Sequence, residues 1–214
     1  NIAIGQDALG TGIVTGPANI AIGKGAGADI TSADETVFIG TNAGGSCTTG
    51  KNNIAIGEDS METGVTTGTD NICLGRETGK ALTSGGGNVI IGNGSGTTIT
   101  TGSNAICIGT YNLTGGTGIG LNNTAIGVQM MTSADLTGAD NIGMGRLTMA
   151  NLTTGGSNVC IGLASMDQIT TGTYNVAVGV GTMGAANVTG DGNVAIGQDA
   201  GQDVSSGDNN TFVG

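Results

Sequence analysis

A short apolar motif recurs along the whole chain at nearly constant spacing. Its form is Asn, aliphatic, small, aliphatic, Gly, beginning as NIAIG at 1–5 and ending as NTFVG at 210–214. The closing glycines lie at positions 5, 23, 40, 57, 75, 92, 109, 127, 145, 162, 179, 197 and 214, so every interval is 17 or 18 residues. Because aliphatic residues alternate with small ones over a few positions, the motif predicts one short β-strand in each repeat.

A second extended segment precedes most of these motifs. It consists of an aliphatic residue followed by Thr or Ser and a small residue, as in ITSA at 30–33, VTTG at 65–68, LTSG at 82–85, ITTG at 99–102, LTTG at 152–155 and ITTG at 169–172. Such a segment is typical of a strand that runs into a turn. Two short strands and two turns in 17 to 18 residues form one coil of a parallel β-solenoid. The sequence therefore predicts an all-β fold, a parallel β-solenoid of about twelve coils, as a single repeat domain over 1–214.

Alignment of the repeats predicts which side chains fill the coil. The second and fourth motif positions are almost always aliphatic and share one face of the strand, so we expect them to lie inside. A methionine column is expected to pack in the same core: Met131, Met149, Met166 and Met183. The motif asparagines are expected to form a hydrogen-bonded ladder, and the motif glycines to mark a bend with no room for a side chain.

The third motif position is predicted to form a contact between identical chains. It is expected to point away from the second and fourth positions, and it is never polar or charged. An apolar stripe on a protein surface usually meets another surface, and small residues allow backbones to approach closely. The sequence thus predicts a homo-oligomer interface along this column: Ala3, Ala21, Phe38, Ala55, Cys73, Ile90, Cys107, Ala125, Gly143, Cys160, Ala177, Ala195 and Phe212.

Composition and charge narrow the classes of partner. Glycine supplies 45 of the 214 residues and aromatics only 2%, which suits a regular architecture that packs small residues closely. The net charge is −11, which argues against nucleic acid and against anionic membrane surfaces as partners. No apolar run approaches the roughly 18 residues of a membrane-spanning helix, so no membrane insertion is expected.

Candidate catalytic and metal-binding chemistry is sparse. The chain has no His, so no nucleophile–base pair can be assembled, and its four cysteines lack the spacing of metal ligands. Cys73, Cys107 and Cys160 are predicted to lie coils apart, too far to bridge, and together with Cys47 they are expected to be free thiols. The P-loop-like stretch at 45–52 has Asn52 where a Ser or Thr should stand. We therefore expect no enzymatic activity, no cofactor and no metal.

The motifs NTAIG at 123–127 and NTFVG at 210–214, with the TTG segments between motifs, resemble repeats of two related kinds of fibre. One is the repeats of bacteriophage tail fibres, and the other is the head repeats of trimeric autotransporter adhesins. The resemblance covers the whole chain, and the 17-residue period is closer to the tail fibre. It implies a left-handed β-roll, assembled as a parallel homotrimer around the third motif column, in a segment of a longer fibre.

The same resemblance implies a function and a location. It implies a structural and adhesive role outside the cell, in a virion tail fibre that attaches to a host receptor or glycan. The alternative within this class is the head of a bacterial surface adhesin. An ice-binding solenoid is an alternative of a different class, because one column holds Thr49, Thr67, Thr101, Thr154 and Thr171.

The turn from Thr110 to Asn122 is the candidate adhesive segment. It is the most irregular turn and carries Tyr111 among Gly115, Gly116, Gly118 and Gly120. An aromatic residue on a glycine-rich surface loop is a reasonable contact for a receptor or carbohydrate. The sequence therefore makes Tyr111 the candidate receptor contact, and a passive shaft without recognition is the competing interpretation.

Overall fold

Every motif forms a short strand, as predicted, but the second segment predicted to be a strand in each repeat forms only isolated bridges in the described residues, Cys47 with Thr66 and Ile169 with Val188. The computed structural model describes residues 1–10, 12–116, 121–134, 136–184 and 187–214, and none of these is helical. The strands are β1 (Ile2–Ile4), β2 (Ile20–Ile22), β3 (Val37–Ile39), β4 (Ile54–Ile56), β5 (Ile72–Leu74), β6 (Val89–Ile91), β7 (Ile106–Thr110), β8 (Thr124–Val128), β9 (Ile142–Arg146), β10 (Val159–Ile161), β11 (Val176–Val178), β12 (Val194–Ile196) and β13 (Thr211–Val213).

The chain forms two compact units, Asn1–Ile108 and Gly109–Gly214. In the first unit, β1 to β6 and the start of β7 pair in parallel, each strand with the next along the chain. In the second unit, β8 to β13 pair in the same way. Equivalent motif positions lie opposite each other throughout, so each repeat is one turn of a parallel β-solenoid of about twelve turns.

The two faces of the strand are the reverse of the sequence-based expectation. The third motif position points into the coil and is fully buried in every strand from β2 to β12, whereas the second and fourth positions are partly or largely exposed. The interface predicted at the third column is therefore wrong for these buried side chains: Ala21, Phe38, Ala55, Cys73, Ile90, Cys107, Ala125, Gly143, Cys160, Ala177 and Ala195. Ala3 and Phe212 occupy the same register position in the first and last strands.

The narrow interior of the coil explains this reversal. The wall opposite the strands already supplies large side chains, such as Ile30, Leu82 and Ile99, which are buried. Where the strand contributes a large residue, the opposite wall contributes glycine: a Cβ on Gly44 would lie 2.6 Å from the Phe38 ring. Because interiors are close-packed, the two walls compensate each other in volume, and most strands can contribute only a small residue.

The methionine column fills the places where the strand contributes least. A Cβ on Gly143 would lie 2.6 Å from the methyl group of Met130, 3.0 Å from that of Met149 and 3.2 Å from that of Met131. These methionines are fully buried, as are Met166 and Met183. The prediction that the methionines serve core packing is confirmed.

A ladder of asparagine side chains runs through each unit, as predicted. Asn71 donates its backbone N–H and its Nδ2 to Oδ1 of Asn53, both at 3.0 Å, and Nδ2 also donates to the Gly85 carbonyl at 3.0 Å. The same pattern links Asn88 to Asn71 and, in the second unit, joins Asn123, Asn141, Asn158, Asn175, Asn193 and Asn210. Each buried amide thus satisfies backbone groups in adjacent coils.

The motif glycines mark a close approach between coils, which confirms their predicted role. Gly5 has φ +129°, and a Cβ there would lie 2.6 Å from the carbonyl oxygen of Gly23 in the next coil. A side chain at this position would be strained by the backbone conformation and would also push the neighbouring coil away. The glycine therefore keeps the coils at strand spacing.

Loss of one ladder amide should destabilise the fold. In Asn158→Ala, the Gly172 carbonyl loses the hydrogen bond at 2.9 Å that it accepts from Asn158 Nδ2. The side-chain amide and the backbone N–H of Asn175 lose their acceptor, Oδ1 of Asn158, at 3.2 and 2.9 Å. Because buried polar groups without partners each cost about 1–3 kcal/mol, we expect the free energy of unfolding to fall by roughly 3 kcal/mol in urea titrations.

The matched control is Asn151→Ala. Asn151 is exposed and makes one side-chain hydrogen bond, to the Asp167 carbonyl at 2.9 Å. Surface changes of this kind usually alter stability by less than about 0.5 kcal/mol. Equal losses in the two variants would contradict a structural role for the ladder.

Candidate interaction face

The side chains at the second and fourth motif positions form a two-column apolar surface, which we call the outer sheet face. In the first unit it comprises Ile2, Ile4, Ile20, Ile22, Val37, Ile39, Ile54, Ile56, Ile72, Leu74, Val89, Ile91, Ile106 and Ile108. In the second unit it comprises Thr124, Ile126, Ile142, Met144, Val159, Ile161, Val176, Val178, Val194, Ile196, Thr211 and Val213. Apart from two threonines, no member is polar, and none is charged.

The exposure of this face is unusual for an apolar surface. None of its members is fully buried, and Ile4, Ile142 and Ile196 expose 58%, 42% and 47% of their surface. With strands about 4.8 Å apart and the two columns about 7 Å apart, the face in each unit covers on the order of 300 Å². One such strip already compares with the largest apolar patch on a typical monomer.

Among the described residues, no charged side chain belongs to this face, and all but Arg146 at the end of β9 lie outside the strands. The densest group surrounds Lys80, whose Nζ lies 3.3 Å from Glu62, 3.7 Å from Asp59 and 3.9 Å from Glu77. Burial alone would lower the pKa of Lys80, but the hydrogen bond to Glu62 and the nearby carboxylates outweigh it and raise that pKa. This cluster joins adjacent coils by ion pairs, and all four side chains are partly exposed.

Tyr111 lies on the surface, as a receptor contact requires. Its side chain is 46% exposed, and its backbone has φ +53°. Residues 117–120 of the predicted adhesive turn, including Gly118 and Gly120, lie outside the described residues. Tyr174 is more exposed, at 69%, and the sequence-based reasoning did not select it.

The threonine column is exposed in both units. Thr49, Thr67, Thr101, Thr154 and Thr171 all lie on the surface. In the segment VTTG, Thr66 points inward and pairs with Cys47, whereas Val65 is 62% exposed. In this 18-residue repeat the extra residue is therefore Val65, which projects from the surface next to the threonine column.

All four cysteines are free and buried, as predicted. Burial raises the pKa of Cys47 to about 11, although a backbone hydrogen bond with Gly50 lowers it, and burial raises the pKa of Cys73 to about 12. Burial also raises the pKa of Cys160 and, with a smaller contribution from Cys73, that of Cys107. These thiols are core side chains, and the sequence-based prediction erred only in assigning three of them to an interface.

Enclosed sites are absent from the part of the chain that the structure describes. It contains no cavity and no group of three or more acidic or Cys side chains placed to hold a metal ion. In these same ranges, no helix has the length and hydrophobicity needed to cross a lipid bilayer. The outer sheet face is therefore the main candidate for a functional surface.

No protein-family model, curated protein sequence or solved structure matches this chain.

The buried thiols should make the stability depend on pH in the alkaline range. Below about pH 9 both the folded and the unfolded chain keep the Cys73 proton, so the thiol does not alter stability. Between pH 9 and about pH 12 the unfolded chain loses this proton and the folded chain retains it. The free energy of unfolding should then fall by about 1.4 kcal/mol per pH unit for this thiol.

The measurement compares urea unfolding of the native sequence and of Cys73→Ala from pH 8.5 to 10.5. Contributions from Lys and Tyr cancel in the comparison. The free energy of unfolding of the variant should fall less steeply with pH, and the difference between the two slopes should correspond to the proton of one thiol. Identical slopes would show that Cys73 is not a buried thiol.

Proposed function

We propose that this chain is a structural and adhesive segment of a homotrimeric fibre, in particular of a bacteriophage tail fibre that takes part in host attachment. The observation that supports this proposal best is the outer sheet face, an apolar surface in each unit of a chain whose net charge is −11. An exposed, flat apolar sheet in an isolated chain is a liability for aggregation, so we expect it to be covered.

Further copies of the same chain are the covering surface that fits best. The face repeats with the spacing of the coils, so a parallel copy in the same register can bury every strand in an equivalent way. Cyclic assemblies are the usual form of homo-oligomers. The interface of the proposed trimer thus moves from the third motif column, which fills the coil, to the second and fourth columns. That the proposed assembly has three subunits is inferred from the resemblance to fibre repeats.

The adhesive part of the proposal rests on the turns. Strand positions are occupied by packing inside and by the outer sheet face outside, so the exposed residues that differ most between coils lie in the turns. Tyr111 is the exposed aromatic residue of the most irregular of these turns. A bacterial adhesin head would use the same arrangement and stays the alternative.

The ice-binding alternative is weaker on the observed surface. A flat hydroxyl array needs an uninterrupted column, and Ile13 and Val65 project beside the threonines with exposures of 86% and 62%. These apolar projections accompany 18-residue repeats. No comparable interruption occurs along the outer sheet face.

A charge on the outer sheet face should dissociate the assembly without unfolding the chain. In Ile142→Asp, an unpaired carboxylate would be buried in the apolar contact between subunits, which costs several kcal/mol. Because Ile142 is 42% exposed in the single chain, the coil itself should tolerate the change. We expect a trimer mass for the native sequence and a monomer mass for the variant by sedimentation velocity, with unchanged β circular dichroism.

The control is Val65→Asp, which places the same charge on an exposed apolar residue outside the face. It should leave the trimer intact. A monomeric native chain, or a trimeric Ile142→Asp, would refute the proposed assembly.

Removal of the Tyr111 ring should lower adhesion and leave assembly unchanged. We expect Tyr111→Ala in the longer fibre to bind host cells at least about fivefold less than the native fibre, since a lost aromatic contact costs roughly 1 kcal/mol or more. Flow cytometry with labelled fibre measures this, and Val65→Ala serves as the control. Unchanged binding would indicate that this segment is a passive shaft.

A further inference from the structure

The two arginines of the chain have the same local sequence. They are Arg76 in DNICLGR at 70–76 and Arg146 in DNIGMGR at 140–146. Among the thirteen motifs, only these two have Asp immediately before the motif Asn, and only these two have Arg immediately after the motif Gly. An acidic residue at the start of a strand thus accompanies an arginine at its end.

Asp and Arg of one motif cannot meet within a single chain. Six residues of extended backbone separate them, which is about 20 Å. Arg76 instead contacts the adjacent Glu77 at 3.3 Å, an exposed pair of low energy. Within the described residues, Arg146 has no ion pair.

Both aspartates are held in one position by the coil before them. Asn52 donates Nδ2 to Oδ1 of Asp70 at 3.0 Å, and Asn122 donates Nδ2 to Oδ1 of Asp140 at 2.9 Å. Both aspartates have a left-handed backbone, with φ +62° and +59°. Two exposed carboxylates are therefore presented at the start of β5 and of β9 in the same manner.

The geometry of a parallel ring brings such strand ends together. If the outer sheet faces surround a common axis that runs along the solenoid, all strands run in the same direction around that axis. The end of a strand in one subunit then lies beside the start of the equivalent strand in the next, at the same height. This step rests on the proposed homotrimer.

We infer that Arg76 pairs with Asp70 of the neighbouring subunit, that Arg146 pairs with Asp140 of the neighbouring subunit, and that these pairs select the parallel, in-register assembly. An antiparallel or shifted arrangement would place each arginine opposite a different coil. The second copy of this chain is thus recognised by charge as well as by apolar area.

One other strand has matching ends at the same two positions. Tyr174 comes immediately before the motif Asn of β11 and Val180 immediately after its motif Gly, and both are exposed, at 69% and 48%. Contact between neighbouring subunits would bury this apolar pair.

Charge reversal and its rescue test the pairing. Arg146→Asp places two carboxylates at each junction between subunits, and Asp140→Arg places two guanidinium groups there. Each single variant should raise the protein concentration at which half of the chains are assembled by at least about tenfold, since like charges across an interface are strongly unfavourable. The double variant Asp140→Arg with Arg146→Asp should return it to within about twofold of the native value.

Two controls accompany these variants in sedimentation velocity over a dilution series. Asp203→Arg makes the same charge change at an exposed position away from the strand starts and should have no comparable effect. Raising the salt concentration should reduce the difference between the single variants and the native sequence, because exposed charges are screened.

Chemical crosslinking provides a second measurement that does not depend on affinity. Cysteines at Asp140 and Arg146 of one chain are too far apart to be joined, so a short bis-maleimide should link different subunits and give covalent trimers. Cysteines at Asp140 and Gln198, three coils apart or about 14 Å along the axis, should give few. The four native thiols are buried.

The outcomes separate this inference from the proposed function. A trimeric native protein with no rescue by the double variant and no crosslinking at 140 and 146 would overturn the ion pairs and leave the trimer standing. A native protein that is monomeric at every concentration would overturn both.

Discussion

The narrow interior of each coil is the constraint on which the rest of the structure depends. The strand and the opposite wall share one small space, so Phe38 requires glycine at position 44, and Gly143 requires three methionines around it. Because large and small residues compensate in this way, the third motif position is restricted to what the opposite wall leaves free. The buried asparagine ladder then fixes the coils in register, since every amide serves both its own coil and the next.

The alternation of side chains along a strand then directs the second and fourth motif positions outward. Ile and Val at these positions form the outer sheet face. A solenoid of this kind therefore has two apolar layers, one that it fills itself and one that stays partly exposed in the single chain. The proposed fibre follows from this second layer, and the charges at the strand ends, such as Asp140 and Arg146, would decide how the partner is aligned.

Much of the fold could be predicted from the sequence because the repeat is so regular. The strand positions, the parallel order, the role of the motif glycines and the asparagine ladder all follow from residues that recur every 17 or 18 positions. The orientation of the strand did not follow, because alternation shows that Ala125 and Ile126 point to opposite sides without showing which side is inside. The volume of the opposite wall decides this, and Gly44 beside Phe38 was the available signal. The inward position of an 18-residue repeat was equally hard to foresee, since the segment at 65–68 turns Thr66 inward rather than Val65.

Reactivity of adjacent cysteines in β8 tests the central claim most directly. Ala125→Cys should fold, because the same column already holds Cys73, Cys107 and Cys160, and Ile126→Cys changes the neighbouring residue on the outer sheet face. The account predicts that a cysteine at 125 resists maleimide at every protein concentration, whereas a cysteine at 126 is protected at high concentration and reacts on dilution. The opposite result, with position 125 becoming reactive on dilution and position 126 always protected, would contradict it.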